Sequence, residues 1–232
     1  MLDDIDEATQ RLLETAAAFS DEEMRSPSLL PAWSRGHVLT HLARNADSTR
    51  NLLTWARTGV ETPDYPSLEA RVAAVEAGAG RHAAELAADV RLSAGRLATA
   101  CRLMPPGAWD RTVRWTIGGQ GPVRWAVRAR FQEILIHHVD LNAGFTAADW
   151  PDTFATATLE RVVRNFAAGD DAPAMRLHAE ETGRWYDVRA SGGSPEIHGT
   201  VRALVTWLIG RSGGSDLTTA DARPLPAVPR LF

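Results

Sequence analysis

The sequence predicts an α+β protein: an N-terminal four-helix bundle followed by a small C-terminal α/β domain. Three observations carry this reading. Apolar residues recur at helical spacing through most of residues 1–147. After Gly144-Phe145-Thr146 the pattern changes, and two short runs read as strands joined by a glycine turn. The chain has 232 residues, 44% of them hydrophobic and 23% charged, which is globular material for one large domain or two modest ones. We place the boundary so that residues 1–147 form the bundle and 148–232 the small domain.

The elements follow in order. Ile5, Ala8, Leu12, Leu13 and Ala16 mark one face of a first helix over 5–19. Ser26-Pro-Ser-Leu-Leu-Pro31 breaks it, and Ser34 is the N-cap expected for a second helix running to about Arg57. The Ala-rich stretch from Ser67 to Met104 reads as a third helix, bent near Gly78 and Gly80 and ended by Pro105-Pro106-Gly107. Arg111 to Val123 alternates around Gly118-Gly-Gln-Gly121 as a hairpin would. Pro122 suits the first turn of a fourth helix continuing to about Asn142. Beyond the boundary we expect a helix over 153–166, strands over 175–180 and 184–190, and a short amphipathic helix over 201–209. The eight tryptophans are expected mostly in the core, Trp33, Trp55 and Trp125 among them.

Composition removes several classes of function. A formal net charge of -4 argues against a nucleic-acid binder. No apolar run approaches the roughly 20 residues of a membrane span. The opening Met-Leu-Asp-Asp-Ile-Asp-Glu is acidic where a signal peptide is basic, so a cytoplasmic location is expected. All the basic residues are Arg, which excludes Schiff-base chemistry on lysine and lysine-anchored pyridoxal phosphate. Cys101 is the one cysteine, so there is no disulfide and no resolving thiol. Any thiol chemistry then draws its thiol from a small molecule. No phosphate-binding glycine motif, G-x-S-x-G or zincin motif occurs. The expected partners are small molecules, with the chain a monomer or weak homo-oligomer.

The positive signal lies in two segments, His37-Val-Leu-Thr-His41 and Glu133-Ile-Leu-Ile-His137. Each sets two metal-capable side chains one helical turn apart, on one face. Two such helices side by side would aim His41, Glu133 and His137 at one point. Two imidazoles and a carboxylate suit a zinc-like divalent ion that keeps a coordination position open. On the fourth helix Arg130 and Asp140 share the face of Glu133 and His137, among apolar neighbours that make an unpaired Glu133 costly. The bland alternative is a set of solvated or hydrogen-bonded polar residues. His137 and His138 point apart, so at most one is a ligand. His37 is close enough to its helix start to act there, and His82, His178 and His198 show no evident partners. Arg211, after helix-ending Gly210, admits two readings: it satisfies the last carbonyls, or it clamps an anion.

Several stretches resemble a known family. Residues 29–46, Trp55 to Tyr65, Gln132-Glu-Ile-Leu-Ile-His-His-Val-Asp-Leu141 and Gly210-Arg211 resemble the mycothiol-dependent maleylpyruvate isomerases, a branch of the DinB-like metalloproteins, along nearly the whole chain. Glu at position 133 resembles that branch, where many DinB-like proteins carry His. The tail, Arg211-Ser-Gly-Gly-Ser-Asp216, is slightly longer than the family pattern. The resemblance implies a DinB-like bundle with a C-terminal domain of sterol-carrier-like type. It implies zinc, or another divalent metal, on His41, Glu133 and His137, mycothiol as thiol cofactor, and Arg211 in the catalytic cleft. It leaves the thiol-binding residues unknown. Asp140 would then hold His137 from behind. The implied activity is cis–trans isomerisation of maleylpyruvate to fumarylpyruvate. A mycothiol S-transferase, a non-catalytic metal-binding protein and a metal-dependent hydrolase remain alternatives.

Overall fold

The computed structural model describes residues 1–221 and 223–229, and the chain divides into two units, Met1–Gly144 and Phe145–Phe232. The first unit opens with α1 (Leu2–Ala17), whose buried stripe is Ile5, Ala8, Thr9, Leu12, Leu13 and Ala16. A short α2 (Asp21–Arg25) follows, started by a Ser20–Glu23 capping box. That Ser-x-x-Glu signature is readable in the sequence and falls between the first helix expected over 5–19 and the break expected at 26–31, where no element was expected. Next comes α3 (Arg35–Thr58), with Ser34 as N-cap and Gly59 ending it at φ 77°.

The single third helix expected over 67–104 is two helices, α4 (Leu68–Ala79) and α5 (Ala83–Arg102). Gly80 ends the first. The Asp21 carboxylate accepts the Ala83 N–H at 2.7 Å, and Glu85 accepts the His82 N–H at 3.0 Å. Both bonds satisfy donors at a helix start, so a new helix begins instead of a bend. The break frees α4 to cross α3 closely. A methyl group on Gly36 would overlap the Ala79 carbonyl oxygen, and one on Gly78 would overlap the Thr40 methyl.

A hairpin of β1 (Thr112–Arg114) and β2 (Gln120–Pro122) turns at Gly118 and Gly119, with φ of 97° and 92°. Pro122 closes β2 opposite Thr112, where a missing N–H is harmless at a sheet edge, and is not in the first turn of the next helix. That helix, α6 (Arg124–Asp140), completes a bundle with α1, α3 and α5. The tryptophans expected in the core are not buried there: Trp33 and Trp55 are half-buried, and Trp125 is 47% exposed and lies over Gly121, while Trp150 and Trp207 are the buried ones.

The second unit comprises α7 (Asp152–Ala168), β3 (Met175–Ala179), β4 (Arg184–Val188), β5 (Glu196–Gly199), α8 (Val201–Leu208) and β6 (Thr218–Thr219). The strand order is β4-β3-β5-β6, with β3 and β5 parallel and the outer pairs antiparallel. β5 and β6 escape sequence reading because they are too short for alternation to register. Met175, Leu177, Tyr186, Val188 and Ile197 are buried on the face that α7 and α8 cover. The opposite face carries Arg176, His178, Trp185, Asp187, Glu196 and His198. His178 and His198, expected to lack partners, are therefore neighbours. Among the described residues, no helix is long and apolar enough to cross a membrane.

Candidate metal centre

His41 lies in the second turn of α3 among Val38, Leu39 and Leu42, all fully buried. Glu133 and His137 lie one turn apart on α6, beside buried Ile134 and Ile136. In such surroundings a polar group must find partners within the protein. His41 Nε2 is 2.8 Å from Glu133 Oε2, and His137 Nε2 is 3.4 Å from the same oxygen. The two imidazoles meet edge to face with centroids 4.7 Å apart. One ligand atom from each of the three residues lies within 4.8 Å of the others. The structure thus brings together the three residues whose spacing predicted a site. Glu133 keeps 21% of its side chain exposed while both histidines are buried, so the cluster has an open side. Two imidazoles, one carboxylate and an open side fit a catalytic divalent ion of zinc type.

Both histidines are held from behind. His137 Nδ1 is 2.7 Å from Asp140 Oδ2, the orientation in which a carboxylate fixes the ring and aims Nε2 forward. Asp140 is fully buried. His41 Nδ1 faces the Arg71 guanidinium at 3.4 Å, and Trp33 tilts against the ring with centroids 5.6 Å apart. Burial pulls His41 down to about 4, against the pull of Glu133, so this ring is neutral. Burial also acts against a charged His137, but hydrogen bonds with Asp140 and Glu133 prevail and raise it to about 8. For Glu133 burial opposes ionisation, and the two histidines overcome it and hold the carboxyl well below its usual range.

The other polar residues on these faces have separate duties. Arg130, 1% exposed, donates to the Leu42 carbonyl at 2.7 Å and to Asn45 Oδ1 at 3.0 Å, and its charge favours ionised Glu133. Burial lowers Arg130 itself to about 10. His138 turns away, its Nε2 2.8 Å from Thr15 of α1. His37 accepts the Ser34 N–H in the α3 capping box. Cys101 is buried on α5, where loss of solvation pushes its thiol up to about 11, so it offers no thiolate.

Two residues went unmarked in the sequence. Arg71 of α4 reaches His41, and Tyr65 lies beneath Arg71 with the guanidinium 5.9 Å from its ring centroid. Burial raises the Tyr65 phenol. No spacing links these positions to the two histidine segments. The chance to find them lay in the break after α4, at residues 80–82, which separates that helix from α5. Arg211 belongs to the second unit. It follows Gly210, at φ 74°, and donates from its N–H to the Thr206 carbonyl and from Nη1 to the Ile209 carbonyl, each at 2.8 Å.

Residues 5–142 match the family model of the mycothiol maleylpyruvate isomerase N-terminal domain. No curated protein matches the sequence. The fold is similar to the crystal structure of a mycothiol-dependent maleylpyruvate isomerase at 27% identity and a TM-score of 0.92, covering 99% of this chain and 95% of that one. A histidine-to-alanine mutant of a mycothiol-dependent maleylpyruvate isomerase is similar at 26% identity and a TM-score of 0.93, with the same coverage.

Proposed function

The chain belongs to the mycothiol maleylpyruvate isomerase family, and we propose that it is itself a zinc- and mycothiol-dependent isomerase converting maleylpyruvate to fumarylpyruvate. The observation that carries this reading is the convergence of His41, Glu133 and His137 in a chain of this family. A bound thiol would supply the nucleophile whose reversible addition to the cis double bond permits rotation about it, the chain itself holding no available thiolate. His41, Glu133 and His137 would hold the metal, which would supply Lewis acidity toward the thiol or a substrate oxygen.

The remaining work falls to the chain's own side chains. Asp140 keeps the His137 ring aimed at the cluster. By the family resemblance alone, Arg211 would bind a substrate carboxylate and favour the negative charge that develops during the reaction. Arg71, beside the cluster, offers a cation to a carboxylate of this dianionic substrate. Cys101, buried and protonated, leaves the sulfur to the small thiol. On this reading the partners are a small substrate and a low-molecular-weight thiol in the cytoplasm.

The test follows maleylpyruvate absorbance with the purified, zinc-loaded protein. We expect conversion to fumarylpyruvate with mycothiol, none without it, and none after chelation of the metal. Arg211→Ala should keep the metal while losing most turnover. Normal turnover in metal-free protein would overturn the proposal. Absence of isomerisation, with mycothiol consumed by other electrophiles, would replace it with an S-transferase.

A further inference from the structure

On the open face of the C-terminal sheet, His178 of β3 and His198 of β5 are direct register partners. Their Nδ1 atoms are 3.2 Å apart, and their rings meet at 78° with centroids separated by 5.2 Å. Trp185 of β4, the register partner of His178 on its other side, stacks on that ring at 4.5 Å and 22°. It also meets the His198 ring at 5.5 Å and 81°. Three rings on three adjacent strands thus fix one another while both histidines stay only half-buried. The acidic groups of the next row are engaged elsewhere. Arg176 pairs with Asp187 at 3.2 Å and with Glu196 at 2.8 Å, and its guanidinium covers Trp185 at 4.6 Å.

Two imidazole nitrogens this far apart match the bite of a tetrahedral metal, whose ligands at about 2.05 Å are separated by about 3.3 Å. We propose that His178 and His198 form a second metal site, a two-imidazole site for a borderline-soft divalent cation of the copper, nickel or zinc kind. Solvent fills the remaining positions, so the site binds less tightly than the three-residue cluster of the bundle. Among first-row divalent ions copper binds such ligands most strongly. A bound ion would tie β3 to β5, two strands joined in sequence only through β4 and the loop after it. It would also sit against Trp185, which makes that indole a reporter.

The test titrates Cu2+ into zinc-loaded protein, reading bound copper and released zinc by dialysis, tryptophan fluorescence, and nitrogen coupling in the copper spin-resonance spectrum. We expect one copper per chain beyond the retained zinc, with quenching of fluorescence. His178→Phe keeps the stack on Trp185 and should weaken copper binding at least tenfold, as should His198→Phe. Trp185→Phe should keep the copper and lose most of the quenching. Where a phenylalanine variant fails to fold by circular dichroism, His198→Gln takes its place with the same expectation. Copper uptake matched by zinc release, or an extra equivalent that persists in the His178→Phe/His198→Phe double variant, would overturn the site.

Discussion

In the bundle, His41 and His137 are 3% and 6% exposed, and each ring nitrogen faces a charged group: Glu133 for both, Arg71 for His41, Asp140 for His137. In the C-terminal sheet, His178 and His198 are half-buried, and their ring contacts among the described residues are with each other and with Trp185. The same residue type is thus set in two ways. Burial removes water as a partner of the two rings, so each of their nitrogens is supplied with one from the chain, and their orientation is set by side chains rather than by solvent. On the open sheet, water completes what the side chains leave. A change in the bundle should therefore propagate to metal, turnover or fold, while a change on the sheet face should stay local.

The sharpest way to break this contrast is His137→Ala. It should remove the bundle's metal and lower isomerase turnover about 1,000-fold or more, read by metal analysis and substrate absorbance. Retention of both would mean the buried cluster is only structural. A second measurement uses pH. His137, held near 8, carries a proton below that value that an incoming ion must displace, whereas His41, held near 4, does not. Zinc affinity should thus fall about tenfold per unit from pH 8 to pH 6 in a chelator competition. Asp140→Asn removes the main partner that sustains this proton. It should weaken zinc binding about 10- to 100-fold and move the pH dependence to lower values.

Smaller effects sharpen the comparison through stability. Gly36→Ala forces a methyl against the Ala79 carbonyl where α4 crosses α3, and should lower stability by about 1–3 kcal/mol in denaturant unfolding. Arg176→Ala on the open sheet face breaks two ion pairs and a stack on Trp185, yet should cost no more than about 1 kcal/mol. If the two losses were reversed, the open face would be the more tightly specified region.

Much of this was legible in the sequence. The Ser34 cap, the α3 span and the pair of strands around Gly183 follow from local chemistry, and local chemistry is what a sequence displays. The meeting of His41 with Glu133 and His137 was readable because two segments each had the i, i+4 spacing. What escaped depended on distant partners. The helix break before His82 rests on Asp21, far back in the chain, which caps α5. Arg71 reaches His41 only because that break redirects α4. Trp125 lies on the surface because the preceding turn of chain, with Gly121, gives it a place outside the core. His178 and His198 meet across a parallel pairing that no hairpin announces.

Asp140 has a second attachment besides His137: its carbonyl oxygen accepts the N–H of Leu29 at 2.9 Å. Leu29 belongs to the 26–34 stretch that also places Trp33 against His37 and His41. One residue therefore ties the orientation of one imidazole to the path of the segment that packs on the other. Sequence drift in that segment is not free. An insertion between Ser26 and Ser34, though formally in a loop, would be felt at the rings of both helices, and such changes should be tolerated only when the end of α6 changes with them.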